Sequence, residues 1–169
     1  IDLARAGANV VGIDFSSKMI ELASQNAQQK RLKQIKFLVA DARKLKFLGG
    51  EEFDIVIINV LFPHLKEKRD IEKVLKEVAC RLNNKGKLLL AEPHPCFDAL
   101  LRTEVFRGRA TSYFESGKPY EFQMEIMGSQ KSLKSVAYHW LIEDYTSAIQ
   151  KVGLSIKNIY EHRPLNIAE

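Results

Sequence analysis

Sulfur is scarce in this chain, which has two cysteines, Cys80 and Cys96, in 169 residues. Two are too few for a disulfide framework and neither sits in a metal-ligand spacing, so no metal site and a reducing, cytoplasmic setting are expected. Long apolar runs are also missing: none approaches the ~20 residues of a membrane-spanning helix, so no membrane association is expected. The sequence shows no internal repeat, no low-complexity tract and no interdomain linker. What remains, 46% hydrophobic and 28% charged residues, is an ordinary globular composition, and a single domain over residues 1–169 is expected.

The formal charge of +5 raises the possibility of a nucleic acid partner. Its placement argues against a dedicated patch. Lys30, Arg31, Lys33 and Lys36 follow one predicted helix, Lys66, Lys68, Arg69, Lys73 and Lys76 lie on another, and both groups alternate with apolar positions. Such patterns describe solvated helix faces.

Residues 9–16, NVVGIDFS, form a short apolar strand that ends in an acid where a helix begins. Asp14 there has two possible roles. It can cap the following helix, or, at the carboxyl end of a parallel strand, it can accept the hydroxyl hydrogens of a ribose. Ahead of it, residues 1–7 resemble the end of a helix stopped at Gly7. After it, Ser17 is the expected cap of a helix with Met19, Ile20, Ala23 and Ala27 on one face. A second strand, residues 35–40, ends in Asp41-Ala42, and a third, residues 53–60 (FDIVIINV), is the most apolar of the chain with almost no alternation, as expected of a strand covered on both faces. A helix over residues 67–82 and a strand over residues 87–92 follow, the latter closed by Pro93-His94-Pro95. Alternating strands and helices imply an α/β, doubly wound, mostly parallel sheet with helices on both faces.

Residues 96–140 break that rhythm. A helix is expected over residues 97–107, an aromatic loop over 109–119, and a β-hairpin from residues 120–126 and 132–140, inserted over the sheet edge as a lid. Tyr113, Phe114 and Tyr120 could line an aromatic pocket or form the insertion's own small core. A last helix ends at Gly153, and residues 154–160 are expected to form a last strand.

The order of motifs resembles a class I S-adenosylmethionine-dependent methyltransferase of the type acting on small molecules. The residues that carry the resemblance are VGIDFS at 11–16, VADA at 39–42, FDIV at 53–56 with Asn59, and NKGKLLL at 84–90. It implies a Rossmann-like fold, S-adenosylmethionine as cofactor and a small-molecule methyl acceptor. It further implies that Asp14 holds the ribose with Phe15 beside the adenosine. Asp41 would meet the adenine amino group, with the Ala42 amide facing the ring, and Asn59 and Leu61 would lie by the methionine part. Phe62 and His64 would stand behind the sulfonium with Leu61. Where the acceptor is a hydroxyl, a histidine can take its proton. His94, His139 and His64 are candidates, and His94 is preferred because two prolines fix its loop, although it could equally be a loop histidine bonded to backbone. Trp140 and His162-Arg163 depart from the subgroup with an inserted hairpin, so the acceptor is not carried over.

The resemblance also implies a first strand and glycine-rich loop, which this sequence does not contain. The expectation is therefore an N-terminally incomplete chain lacking the sheet's first strand. Two alternatives stand beside the methyltransferase: an NAD-dependent Rossmann oxidoreductase, which also places an acid after the second strand, and a non-catalytic methyltransferase-like scaffold.

Overall fold

A computed structural model describes residues 1–96, 112–125 and 132–161. Its backbone falls into two compact units, Ile1–Glu51 and Glu52–Glu169, each taken here by itself.

The first unit opens with α1 (Asp2–Arg5), which stops before Gly7 at φ +95°, the left-handed position expected of that glycine. β1 (Val10–Asp14) and β2 (Ile35–Val39) are parallel, joined through α2 (Ser17–Gln29). Gly12 lies opposite Phe37, and a Cβ at that position would come within 2.8 Å of the Phe37 ring, so glycine makes room for the aromatic side chain across the strand. α2 is capped one residue earlier than the sequence suggested: the Ser16 Oγ accepts the Met19 amide at 3.3 Å. The helix ends through Arg31, at φ +55°, with the Leu32 amide donating to the Ala27 carbonyl. A short 3-10 turn, Lys46–Leu48, closes the unit by burying Leu48.

The second unit is built on another parallel pair, β3 (Phe53–Asn59) and β4 (Leu82–Ala91), connected through α3 (Lys68–Ala79). β4 starts five residues earlier than predicted. Leu82 pairs with Phe53, and an irregularity between Phe53 and Ile55 absorbs the extra residues before Ile55 meets Lys87. α3 buries Ile71, Val74, Leu75 and Val78, at 0–3% exposure. α4 (Ile142–Lys151) packs on it, with Lys151 paired to Glu72 at 2.7 Å. The opposite face of β3–β4 leaves Ile55, Ile57 and Leu89 about half exposed, so the apolar run of β3 does not mean burial on both faces. No helix of this unit covers that side among the described residues.

The hairpin is present as β5 (Pro119–Glu125) antiparallel to β6 (Ser132–Tyr138). The helix expected over residues 97–107 lies outside the described residues. Residues 154–160, expected as a last strand, join no ladder among the described residues and are mostly exposed. The described part of the insertion is fastened by Asp144, which receives Lys68 Nζ at 2.7 Å, Ser116 Oγ at 2.5 Å and the Leu141 amide at 3.0 Å. The indole N–H of buried Trp140 donates to the Leu65 carbonyl at 3.1 Å. Among the described residues, no helix is long and apolar enough to cross a membrane.

Candidate functional site

The carboxyl edge of each parallel pair collects the expected site residues of its own unit. On the first, Asp14 stands opposite Val39, and the Ala40 amide donates to the Asp14 carbonyl at 2.9 Å, so Asp14-Phe15 and Asp41-Ala42 are neighbours. Asp14 does not cap α2, since Ser16 does that. Its Oδ1 instead accepts the Ser16 amide at 2.8 Å, bracing the turn, while Oδ2 takes no hydrogen bond among the described residues. Phe15 is 78% exposed beside it, an aromatic face open to a planar ring.

Asp41 is engaged differently. The Arg43 guanidinium grips both its oxygens, Nε to Oδ1 at 2.9 Å and Nη2 to Oδ2 at 2.8 Å, and the Arg43 amide adds a bond at 2.9 Å. This fork holds the carboxyl below its ordinary pKa. The Ala42 amide donates to nothing among the described residues. An acceptor beside a free backbone donor complements the amine and ring nitrogen of adenine. An open groove of about 510 Å³ lies elsewhere, around Ala27, Arg31, Leu32, Ile35 and Phe37 at the amino end of β2. Ligands of open α/β sheets bind at the other edge.

On the second unit Asn59, exposed, faces Ala91 across the ladder, and the Val60 amide donates to the Ala91 carbonyl at 2.8 Å. Val60 then turns with φ +50°. A β-branched residue is seldom found there, at a strain of about 1–3 kcal/mol, and such a conformation persists only where its surroundings enforce it. The enforcing group is Glu92, the residue after β4. Its Oε1 accepts the amides of Leu61 at 3.0 Å and Phe62 at 3.1 Å. Its Oε2 is buried with no hydrogen-bond partner among the described residues. Burial raises the Glu92 pKa from 4.5 to about 7, against the opposing effect of the two amides. The following 3-10 turn, Phe62–His64, buries Phe62 completely against Tyr145, ring centroids 5.5 Å apart, and leaves His64 exposed.

The other two candidate histidines, His94 and His139, occupy unlike places. His94 is half-buried, with Nδ1 accepting the Cys96 amide at 3.1 Å and Nε2 3.0 Å from Glu161. That pattern assigns the proton of the neutral ring to Nε2. His139 is 1% exposed, its Nε2 2.7 Å from the Tyr113 carbonyl and its ring edge-on to Tyr113. Tyr120 is buried as well and Phe114 is 80% exposed, so the insertion's aromatics divide between a small core and a surface.

Sequence reasoning missed Glu92 and Arg43. The signal for Glu92 was available, because it is the third acid to follow an apolar parallel strand, after Asp14 and Asp41. Arg43 carried none: a basic residue two positions past an aspartate is common, and only the turn at residues 41–44 folds it back.

A family profile described as a methyltransferase domain matches residues 1–86, half of the chain. Among curated proteins, an uncharacterised methyltransferase of Bacillus subtilis, YcgJ, is 27% identical over 146 residues, 85% of this chain and 56% of its own length. The demethylmenaquinone methyltransferase of Lactococcus lactis is 31% identical over 143 residues, 82% of this chain and 50% of its own. The chain thus spans about half the length of the curated relatives it matches. Among solved structures, an S-adenosylmethionine-dependent methyltransferase of Clostridium acetobutylicum superposes with a TM-score of 0.67 at 13% identity, covering 95% of this chain and 71% of that one. The fold is accordingly the Rossmann-like α/β fold, and the chain belongs to the methyltransferase domain family.

Proposed function

We propose that this chain carries the cofactor-binding part of an S-adenosylmethionine-dependent methyltransferase acting on a small-molecule acceptor. The observation that carries it is the adjacency of two strand-terminal aspartates, Asp14 with an unengaged Oδ2 and Asp41 beside the free Ala42 amide. A carboxylate and an amide so placed suit a ribose diol and an adenine edge. Phe15 supplies the ring face, and Asn59 and Leu61 are assigned to the methionine part. The cofactor supplies a methyl group on a sulfonium. The residues here contribute by fixing its orientation, because an in-line displacement is accelerated mainly by alignment.

His94 is the proton acceptor this reading favours, through the Nδ1 lone pair that now takes the Cys96 amide, whereas His139 is assigned to the insertion's core. The basic side chains of α3 support a small-molecule rather than a nucleic acid partner, since three of the four are ion-paired: Lys68 with Asp144, Arg69 with Glu67 and Lys73 with Asp70. A cytoplasmic location is consistent with two free cysteines.

Calorimetric titration with S-adenosylhomocysteine and with NAD tests the proposal. The wild type is expected to bind the former and not the latter, and Asp14→Ala and Asp41→Ala should each weaken it at least about tenfold, the worth of lost hydrogen bonds to a charged group. Preferential NAD binding, or aspartate variants that bind S-adenosylhomocysteine like wild type, would sink it.

A further inference from the structure

The exit of β3 holds a feature that the family match does not address. Between Asn59 and Phe62, the segment assigned to the cofactor's methionine part, the backbone passes through the left-handed conformation of Val60. One side chain spans the turn. Glu92 Oε1 receives the Leu61 and Phe62 amides together, and the Ala91 carbonyl next to it receives the Val60 amide. Three successive amides of β3's exit are thereby tied to Ala91, the last residue of β4, and to Glu92 just after it.

We propose that Glu92 is the positioning residue of this turn, a proton-dependent clamp that fixes Asn59 and Leu61 for the methyl donor. This rests on the methyltransferase reading. An ionised carboxylate is a stronger acceptor for amides than a protonated one, so the clamp is tight when Glu92 is charged and slack when it is neutral. The unpartnered, buried Oε2 is what makes the charge costly enough for that choice to matter. Its pKa of about 7 puts the change within the physiological range. Among the described residues, no charged side chain contributes to that shift. Titratable groups on neighbouring segments, among the described residues, include His64 in the 3-10 turn, His94 paired with Glu161, Tyr145 of α4 against Phe62, and the Asp70–Lys73 pair of α3.

Two measurements on the protein, between pH 5.5 and 8.5, test the clamp. In the first, NMR shifts of the Leu61 and Phe62 amides are followed with pH in the wild type and in Glu92→Gln, which keeps an acceptor oxygen and cannot ionise. Both amides should titrate together near pH 7 in the wild type and lose that step in the variant, while His64 and His94 are present in both. In the second, S-adenosylhomocysteine affinity is measured across the same range. It should rise severalfold through pH 7 in the wild type, be flat in Glu92→Gln, and be about tenfold weaker and flat in Glu92→Ala, where two buried amides lose their acceptor. A merely structural glutamate would leave the shape of the pH profile unchanged.

Amides that titrate identically in wild type and Glu92→Gln overturn the proposal, as does an affinity profile that survives that substitution. Should Glu92→Ala not fold, the glutamine variant still decides. A wild type with no affinity for S-adenosylhomocysteine, but with amides that follow Glu92, would overturn the methyltransferase reading and the clamp's role in donor placement, leaving the turn itself proton-controlled.

Discussion

Asp41 and Glu92 follow parallel strands in the two units, and in the sequence they are the same signal, an acid after an apolar run. In the structure they are electrostatic opposites. Asp41 sits in partial solvent with a guanidinium on both oxygens, and its pKa is lowered by Arg43. Glu92 is half-buried with its Oε2 shut off from water, answered by two amides on Oε1 and by no partner on Oε2 among the described residues, and its pKa is raised to about 7. A strand-terminal acid therefore has no fixed character. What decides is whether a counter-charge arrives before water is removed.

The largest expected effect comes from removing the charge at Glu92. Its folded pKa exceeds its ordinary value of 4.5, so the folded protein binds the proton more tightly than the unfolded chain does. Stability is then lost as pH rises from about 4.5 to about 7 and is level above that. Glu92→Gln escapes this loss. It should be more stable than wild type at pH 8, by up to about 3 kcal/mol at ~1.4 kcal/mol per pKa unit, and similar at pH 5. Urea denaturation at the two values measures it, and an advantage that is equal at both would show that burial of the charge is not the cost. Greater stability with loss of the pH response in binding is the trade expected where a site is held under strain.

Asp144 separates burial from counter-charge, since it is even less exposed than Glu92 yet paired like Asp41. Burial raises its pKa, but Lys68, Ser116 and the Leu141 amide more than offset that and the net shift is downward. Its stabilisation is therefore present above its ordinary pKa of 3.8 and lost as pH falls through the lower folded value, the reverse of Glu92. Asp144→Ala should cost about 2 kcal/mol at pH 7. That is less than the 3–5 kcal/mol of a fully buried pair, because Lys68 is half exposed and regains water. Thermal unfolding at pH 7 checks the size. A cost below ~0.5 kcal/mol would mean that the insertion is held by Trp140 and its neighbours alone.

These three carboxylates also show where sequence reasoning succeeds and where it stops. Strand and helix order in both units, the hairpin and the two aspartates were readable, because period and position at a strand's end are local properties. The Ser16 cap was missed by one residue because Ser16 and Ser17 are chemically alike and only the backbone at Ser16 is extended. The early start of β4 was hidden under Asn-Asn-Lys-Gly, a stop signal overridden by pairing with Phe53. The expected strand over residues 154–160 has no ladder partner among the described residues, and pairing is something no local pattern reports. Glu92 needed two long-range facts, that Leu61 and Phe62 present their amides to it and that Oε2 is buried without a partner among the described residues.

The smallest effect on stability belongs to Arg43→Gln, and it probes the solvated side of the comparison. The Arg43–Asp41 fork is well formed, but its side chains are more than a third exposed, and an exposed pair contributes about 0–1 kcal/mol and less in salt. Stability at pH 7 should fall by no more than about 0.5 kcal/mol, and the Asp41 pKa should return toward its ordinary value. Binding should move the other way. The guanidinium now occupies the two oxygens that the resemblance gives to the adenine amine, so the ligand must displace it. Without that competitor, S-adenosylhomocysteine should bind a few times more tightly, most visibly at low salt, where the fork is strongest. Weaker binding by Arg43→Gln at every salt concentration would mean that Arg43 holds Asp41 in the pose the adenine needs. The two carboxylates would then differ in charge but share one purpose, each kept ready by a bond made before the ligand arrives.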